Sequence, residues 1–156
     1  MKRILFLVFI TSIILSYTVT NSFSQCKRFT KNNCLPKLKP YTYNGQLNSA
    51  VLSQGDEAYL KLIFYPEQEY RILVCGNPIL GNIHFRLFTD NGVLVYDNET
   101  MDYLPFWDFK TDQTIELTLK IMVPPASEDD YTVKDGCVSI LVGFKEKNNK
   151  TDQKKN

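Results

Sequence analysis

Apolar and polar residues alternate along most of this chain, and this two-residue period limits the fold more than any other feature of the sequence. The longest alternating run is Thr114–Val123. Successive side chains of a β-strand point to opposite faces, so each such run predicts a half-buried strand. The predicted inward rows are Leu60, Leu62 and Phe64; Tyr70, Ile72 and Val74; Ile83, Phe85 and Leu87; Ile115, Leu117, Leu119, Ile121 and Val123; and Val138, Ile140, Val142 and Phe144.

Turn-forming residues separate these runs at short intervals. They are Gln54-Gly55-Asp56, Pro66-Glu67, Gly76-Asn77-Pro78, Asp90-Asn91-Gly92 and Asp135-Gly136, and Pro124-Pro125 breaks the chain direction. Asn91-Gly92 is the strongest hairpin signal, because a tight primed turn needs positive φ at its central residues. No segment keeps a 3.6-residue period. The sequence therefore predicts an all-β, single-domain antiparallel sandwich or jelly roll.

The first 24 residues have the pattern of a secretory signal peptide. Lys2 and Arg3 precede an apolar run, Ile4–Leu15, and Ser22 and Ser24 set up cleavage before Gln25. A membrane anchor is the first alternative, but the run is shorter than the roughly 20 residues that a spanning helix needs. The mature protein is therefore expected to be secreted or periplasmic, in the cell envelope, and not to span the membrane.

A lipoprotein with an acylated Cys26 is the second alternative. That family's pattern has an aliphatic residue three positions before the cysteine and a small residue directly before it, whereas Phe23 and Gln25 stand there. An oxidising compartment instead favours two disulfides among the four cysteines, Cys26, Cys34, Cys75 and Cys137. Cys75 and Cys137 are expected on outward positions of neighbouring strands, so we predict Cys75–Cys137 and Cys26–Cys34, out of three possible connectivities.

Charge is segregated along the chain. Residues 26–40 carry five basic residues and no acidic one, residues 41–144 carry six basic and fifteen acidic residues, and residues 145–156 carry five basic and two acidic residues. The predicted organisation is a signal peptide (1–24), an irregular basic lead-in (25–40), a β-sandwich (41–145) and a disordered basic tail (146–156). The acidic core excludes nucleic acid as a partner.

The residues needed for common catalytic sites are sparse. His84 is the only histidine, no Gly-x-Ser-x-Gly elbow accompanies it, and there is no phosphate-binding glycine loop. We therefore expect no enzyme, no catalytic residue and no cofactor. Two alternative hypotheses are kept. Asp97 and Asp108 could act as the carboxylate pair of a glycosidase, and Asp97-Asn98-Glu99 with Asp102 could bind calcium.

Two further groups are candidates for surface roles. Tyr103, Phe106 and Trp107 could stack on a sugar or anchor a protein, although Trp107 could equally pack in the core. Asn98-Glu99-Thr100 and Asn149-Lys150-Thr151 match the glycosylation sequon, which matters only in a eukaryotic source.

Parts of the chain resemble the pre-peptidase C-terminal β-sandwich domains of secreted bacterial proteins. The similarity lies in Glu69–Val74, Phe85–Leu94 and Asp97-Asn98, and covers about half the chain. It implies a non-catalytic jelly roll that binds a surface or a substrate in the bacterial envelope. Cys137-Val138 departs from the family's usual Gly-x-Tyr.

Together these features predict a non-catalytic binding or interaction module outside the cytoplasm, with a protein or glycan of the envelope as its partner. A secreted hydrolase inhibitor is the alternative, because disulfides preorganise a rigid loop. A small glycosidase-like enzyme is a third hypothesis. The sequence does not indicate the oligomeric state.

Overall fold

The computed structural model of the chain describes residues 22–127 and 132–146, and β-strands dominate them. The strands are β1 (Thr42–Tyr43), β2 (Asn48–Ser53), β3 (Glu57–Phe64), β4 (Gln68–Gly76), β5 (His84–Thr89), β6 (Leu94–Asp97), β7 (Phe106–Lys110), β8 (Ile115–Met122) and β9 (Asp135–Glu146). They form two antiparallel sheets, so the predicted all-β sandwich is confirmed.

The five-stranded sheet has the order β1-β9-β4-β7, and β2 also pairs with β9 on the β1 side. The four-stranded sheet has the order β3-β8-β5-β6. The predicted inward rows meet between the sheets, where Phe64, Ile72, Phe85 and Leu119 are at most 1% exposed. Alternation alone therefore assigned the core face of these five runs correctly.

The predicted β5–β6 hairpin is present, but its turn differs from the expected one. Thr89 N–H donates to Val93 O at 2.9 Å, and Gly92 N–H donates to Thr89 O at 2.9 Å. In the Asp90-Asn91-Gly92 loop only Gly92 has positive φ. A three-residue loop with glycine in the left-handed region therefore replaces the two-residue primed turn.

Asp135-Gly136 is not a turn, which corrects the sequence prediction. Both residues belong to β9, where they lie opposite Ser53 and Leu52. A Cβ atom at Gly136 would lie 3.0 Å from the Cβ atom of Asn77. The glycine is thus required by the close approach of the Asn77 segment to the strand, and not by a change of chain direction.

The lead-in is helical rather than irregular. Helix α1 (Ser22–Phe29) passes through the predicted cleavage position and continues as a π-helical turn (Thr30–Cys34) and a 3₁₀ turn (Leu35–Leu38). Every fourth residue is buried, which places one stripe against the protein; these residues are Cys26, Thr30, Cys34 and Leu38. The lead-in covers the outer face of the five-stranded sheet, where Leu73 and Leu141 are at most 1% exposed.

The predicted disulfide pairing is wrong. All four cysteines are bonded, but as Cys26–Cys137 and Cys34–Cys75. Cys75 lies opposite Ser139, two positions from Cys137, so the two strand cysteines are not in direct register. Each strand cysteine instead bonds a cysteine of the buried stripe, and the lead-in is fastened to the sheet at two points.

The chain ends are only partly described. Most of the predicted signal peptide and residues 147–156 of the predicted tail lie outside the described residues, whereas Glu146 is in β9 opposite Gln68. Asn149 also lies outside them. Over residues 22–127 and 132–146, no helix is both long and apolar enough to cross a membrane.

Candidate binding surfaces

The three aromatic residues singled out in the sequence do not form one patch. Phe106 and Trp107 are neighbours on β7, so their side chains point to opposite faces of the five-stranded sheet. Phe106 lies on the outer face, with the Arg71 guanidinium 4.0 Å from its ring centre. Tyr103, which has positive φ, lies at the other sheet, with its ring centre 6.0 Å from that of His84.

Trp107 packs against the core. Its ring is stacked on Phe109 at 4.3 Å and on Tyr96 at 5.2 Å between ring centres. Tyr96 also donates a hydrogen bond to the backbone oxygen of Phe106 at 3.2 Å, which joins the two sheets along this side. The aromatic side chains thus close one edge of the sandwich between β6 and β7.

A cleft of about 440 Å³ lies beside this aromatic stack. Its lining combines the aromatic rings of Trp107 and Phe109 with polar side chains. The polar lining residues are Thr89, Asp90, Lys110, Thr111, Gln113, Thr114 and Glu116.

Asn98, a predicted calcium ligand and sequon residue, is a structural residue. Its side chain is fully buried and makes three hydrogen bonds to two backbone segments: Oδ1 accepts from Phe85 N–H at 2.8 Å, and Nδ2 donates to Ile83 O and Leu104 O. Because the side chain is fully buried and both ends of its amide are hydrogen-bonded, Asn98 is not accessible to calcium or to glycosylation in the folded chain. The calcium site stays a prediction for the remaining carboxylates.

Asp97 is the centre of a small charged cluster. It accepts hydrogen bonds from His84 Nε2 at 2.8 Å, Arg86 Nε at 2.7 Å and Glu99 N–H at 3.0 Å. Burial raises the pKa of Asp97, but these hydrogen bonds outweigh it and the net shift is downward. His84, Asp97 and Glu99 have a spacing that could hold a metal ion. The Arg86 guanidinium, which also lies 3.6 Å from Glu99, offsets one of the two carboxylate charges.

The predicted glycosidase pair is not assembled by this geometry. Asp97 pairs with Arg86 on the outer side of the four-stranded sheet, whereas Asp108 pairs with Arg71 on the outer side of the five-stranded sheet. Packed sheets are about 10 Å apart, and the side chains here point away from each other. Two such carboxylates cannot flank one glycosidic bond.

Arg71 fastens the end of the lead-in. Its Nε and Nη2 atoms donate to the two oxygens of Asp108, both at 2.7 Å, and its guanidinium lies between the rings of Tyr41 and Phe106. Nη1 also donates to Lys39 O at 3.2 Å. The bidentate ion pair and the two disulfides together hold the lead-in on the outer face of the five-stranded sheet. This face is therefore covered along much of its length.

The outer face of the four-stranded sheet is uncovered in the described part of the chain, and we call it the open face. Tyr59 and Ile63 of β3 are 62% and 56% exposed. The open face consists of the outward side chains of four strands, which are Glu57, Tyr59, Lys61 and Ile63; Glu116, Thr118, Lys120 and Met122; His84, Arg86 and Phe88; and Leu94 and Asp97.

Charges on the open face are paired within the face. Lys61 contacts Glu116 at 2.8 Å, Lys120 contacts Glu57 at 2.8 Å, and Arg86 contacts Asp97. Three cationic groups thus meet three carboxylates across neighbouring strands. The face is close to neutral, and its apolar groups stand between these pairs.

Comparison with known proteins gives distant structural neighbours only. No protein-family model matches the chain, and no curated protein sequence matches it. PliG of Aeromonas hydrophila, a periplasmic lysozyme inhibitor of g-type lysozyme, has a TM-score of 0.46 and 12% identity over 69% of this chain and 90% of its own. PliG of Salmonella Typhimurium, described in the same words, has a TM-score of 0.38 and 14% identity over 69% of this chain and 91% of its own. At these values neither structure carries information on what this chain binds.

Sequence reasoning missed three features of these surfaces. The four-residue spacing from Cys26 to Leu38 was a readable helical signal, and it would have predicted that the lead-in packs on the protein. The short strand β7 carried a readable signal as well, since a strand over Phe106–Lys110 separates Phe106 from Trp107. The opening of one sheet face had no such signal, because it depends on where the lead-in docks.

Proposed function

We propose that this chain is a non-catalytic protein-binding module that acts outside the cytoplasm and contacts its partner through the open face. The observation that carries the proposal is the asymmetry of the sandwich. One outer face is closed by a lead-in that two disulfides and Arg71 hold in place. The other presents Tyr59 and Ile63 to solvent.

The composition of the open face supports a protein partner. Protein interfaces are enriched in aromatic residues and arginine, and their buried centres are depleted of unpaired charge. Here Tyr59 is surrounded by charges that are already paired, so a partner can cover it without leaving an isolated charge behind. A neutral face with exposed apolar groups is a poor site for a polyanion.

The size of the face limits how the partner binds. The four strands have eight, eight, six and four residues, so at about 3.3 Å per residue and about 4.8 Å between strands they give a flat area of roughly 400 Å². A standard interface buries about 800 Å² on each partner. The open face therefore supplies about half of an ordinary interface, and the partner also contacts neighbouring loops, among which Tyr65 is 59% exposed.

Hydrolase inhibition is the specific form of this function that we propose. The two disulfides support an oxidising compartment, such as the periplasm or the cell exterior. They also keep the binding surfaces rigid, which lowers the entropic cost of binding. A panel of bacteriolytic hydrolases tests this, and g-type lysozyme, which the two PliG proteins inhibit, belongs in it.

The experiment compares three versions of the chain in that panel. The wild-type chain is expected to inhibit one hydrolase at a one-to-one ratio. A Tyr59→Ser, Ile63→Ser variant is expected to inhibit it about tenfold more weakly or worse, since truncation of an aromatic interface residue costs about 2 kcal/mol. Val133→Ser is the matched control, because Val133 is 64% exposed but lies outside the open face. Equal inhibition by all three would remove the open face as the binding surface.

A further inference from the structure

Strand β3 is a long, regular edge of the four-stranded sheet. It pairs with β8 over all eight residues, and no described strand pairs with its other side. It contains no proline and no register shift. Native proteins commonly protect an edge strand with a proline or a β-bulge, because an unprotected edge accepts another strand. The single charged side chain at its centre, Lys61, is held by Glu116 on the open face.

The backbone direction of each β3 residue follows from one hydrogen bond at the end of the ladder. Val123 N–H donates to Asp56 O at 2.9 Å, so Asp56 and Val123 form a hydrogen-bonded pair. Hydrogen-bonded and non-hydrogen-bonded pairs alternate along an antiparallel ladder. The backbone N–H and C=O groups that point away from β8 therefore belong to alternate residues that begin at Glu57. These residues are Glu57, Tyr59, Lys61 and Ile63.

We propose that β3 pairs antiparallel with β3 of a second copy of this chain, with Leu60 on the two-fold axis. In this register Tyr59 lies opposite Lys61 of the second copy, and Glu57 lies opposite Ile63 of the second copy. The two-fold axis relates these four residues to the same four residues of the second copy. Each of their outward backbone N–H and C=O groups therefore has a partner. This is the self-complementary arrangement that a two-fold interface requires.

Side-chain chemistry selects this register over its neighbours. With Lys61 on the axis, two ammonium groups would lie directly opposite each other, which is unfavourable. With Tyr59 on the axis, Ile63 would lie opposite Gly55, which is in a turn with φ of 90° and outside the strand. The proposed register instead sets each Lys61 ammonium opposite a Tyr59 ring, with the second copy's Glu57 and Lys61 at the two longer, diagonal separations.

The dimer would have one continuous eight-stranded sheet. Two open faces would then lie side by side, and the apolar side chains of both copies would form one surface. The pairing does not depend on the proposed function, since backbone groups at the edge of the sheet form it, although the β3 side chains beside it belong to the open face. Oligomeric state can therefore be measured without knowledge of any partner.

Backbone blocking at Lys61 is the first test. In Lys61→Pro the lost N–H is one that points away from β8, so the β3–β8 ladder keeps its hydrogen bonds. We expect wild-type and Lys61→Ala chains to have twice the monomer mass by light scattering in a concentration series, and Lys61→Pro to have the monomer mass. A wild-type chain that stays monomeric at every concentration, or a folded Lys61→Pro that still dimerises, would overturn the proposal.

Cysteine cross-linking tests the register and does not require the proline variant to fold. Tyr59→Cys mixed with Lys61→Cys should give a disulfide-linked heterodimer, because the two positions are directly opposite. Either variant alone should not cross-link to itself at the introduced cysteine, as peptide mapping would show. Self-linking of Tyr59→Cys or of Lys61→Cys would indicate one of the rejected registers, and no linkage in the mixture would contradict strand pairing; each result overturns the proposal.

Discussion

Removal of the disulfides one at a time tests the attachment of the lead-in. One double variant carries Cys34→Ala and Cys75→Ala. The other carries Cys26→Ala and Cys137→Ala. Each removes both sulfurs of one bond and leaves the other bond possible. Alanine suits these buried sites, where the cysteines are at most 9% exposed.

The magnitude follows from the chain length that each bond closes. The sequence separations are 41 and 111 residues. The loop-entropy relation gives about 4 kcal/mol for the first bond and about 5 kcal/mol for the second. The loops are nested, so loss of both bonds costs less than the sum. A domain of this size has a free energy of unfolding of about 5–15 kcal/mol, so either variant loses a large share of it.

Urea unfolding of the two variants and the wild type measures these losses, and thiol titration under denaturing conditions measures the pairing. Each variant should contain no free thiol, because its two remaining cysteines are bonded to each other. Two free thiols per chain would refute the pairing. A loss below about 1 kcal/mol with the pairing intact would refute the loop-entropy argument.

Three further predictions concern single positions. Asn98→Ala should lower the free energy of unfolding by about 3 kcal/mol, because it leaves buried backbone groups without partners; a urea titration measures this, and a loss below 1 kcal/mol would contradict it. Gly143→Ala should lower it by about 1–3 kcal/mol, since a Cβ there would lie 2.6 Å from the Cβ of Tyr41; unchanged stability would mean that the lead-in is loosely packed. Burial raises the pKa of Asp108, but Arg71 outweighs it and the net shift is downward. The ionised Asp108 carboxylate therefore stabilises the fold above its unfolded-state pKa, and this stabilisation is lost as the pH falls below about 4. Asp108→Asn should flatten the acid-side fall in the free energy of unfolding between about pH 5 and pH 2. An equally steep fall in wild type and variant would exclude this role.

Local pattern was sufficient for the strands but not for their surroundings. The alternation in β8 fixes which side chains face inward, because a strand offers only two faces. The same rule placed Cys75 and Cys137 outward, and the structure agrees. The alternation rule could not establish that the outer face of this sheet is covered. A strand has the same alternating pattern whether a docked segment or solvent lies against its outer face.

Register and docking explain the predictions that were wrong. The Cys75–Cys137 pairing assumed neighbouring strands in direct register, but the offset between β4 and β9 places Ser139 opposite Cys75. Gly136 was interpreted as a turn residue although its function is to allow a close contact. Both errors concern relations between distant segments, which no single window of sequence contains. The resemblance to pre-peptidase C-terminal domains stays a prediction.

Photo-crosslinking from the two surfaces tests the central claim most directly. A photoreactive amino acid is placed at Tyr59 on the open face or at Val133 away from it, and each chain is irradiated with an extract of the protein's own extracytoplasmic compartment. The proposal predicts adducts from position 59 to one protein other than a second copy of this chain, and none from position 133. Adducts from position 133 alone, or none from position 59 while the wild-type chain captures a protein, would contradict binding through the open face.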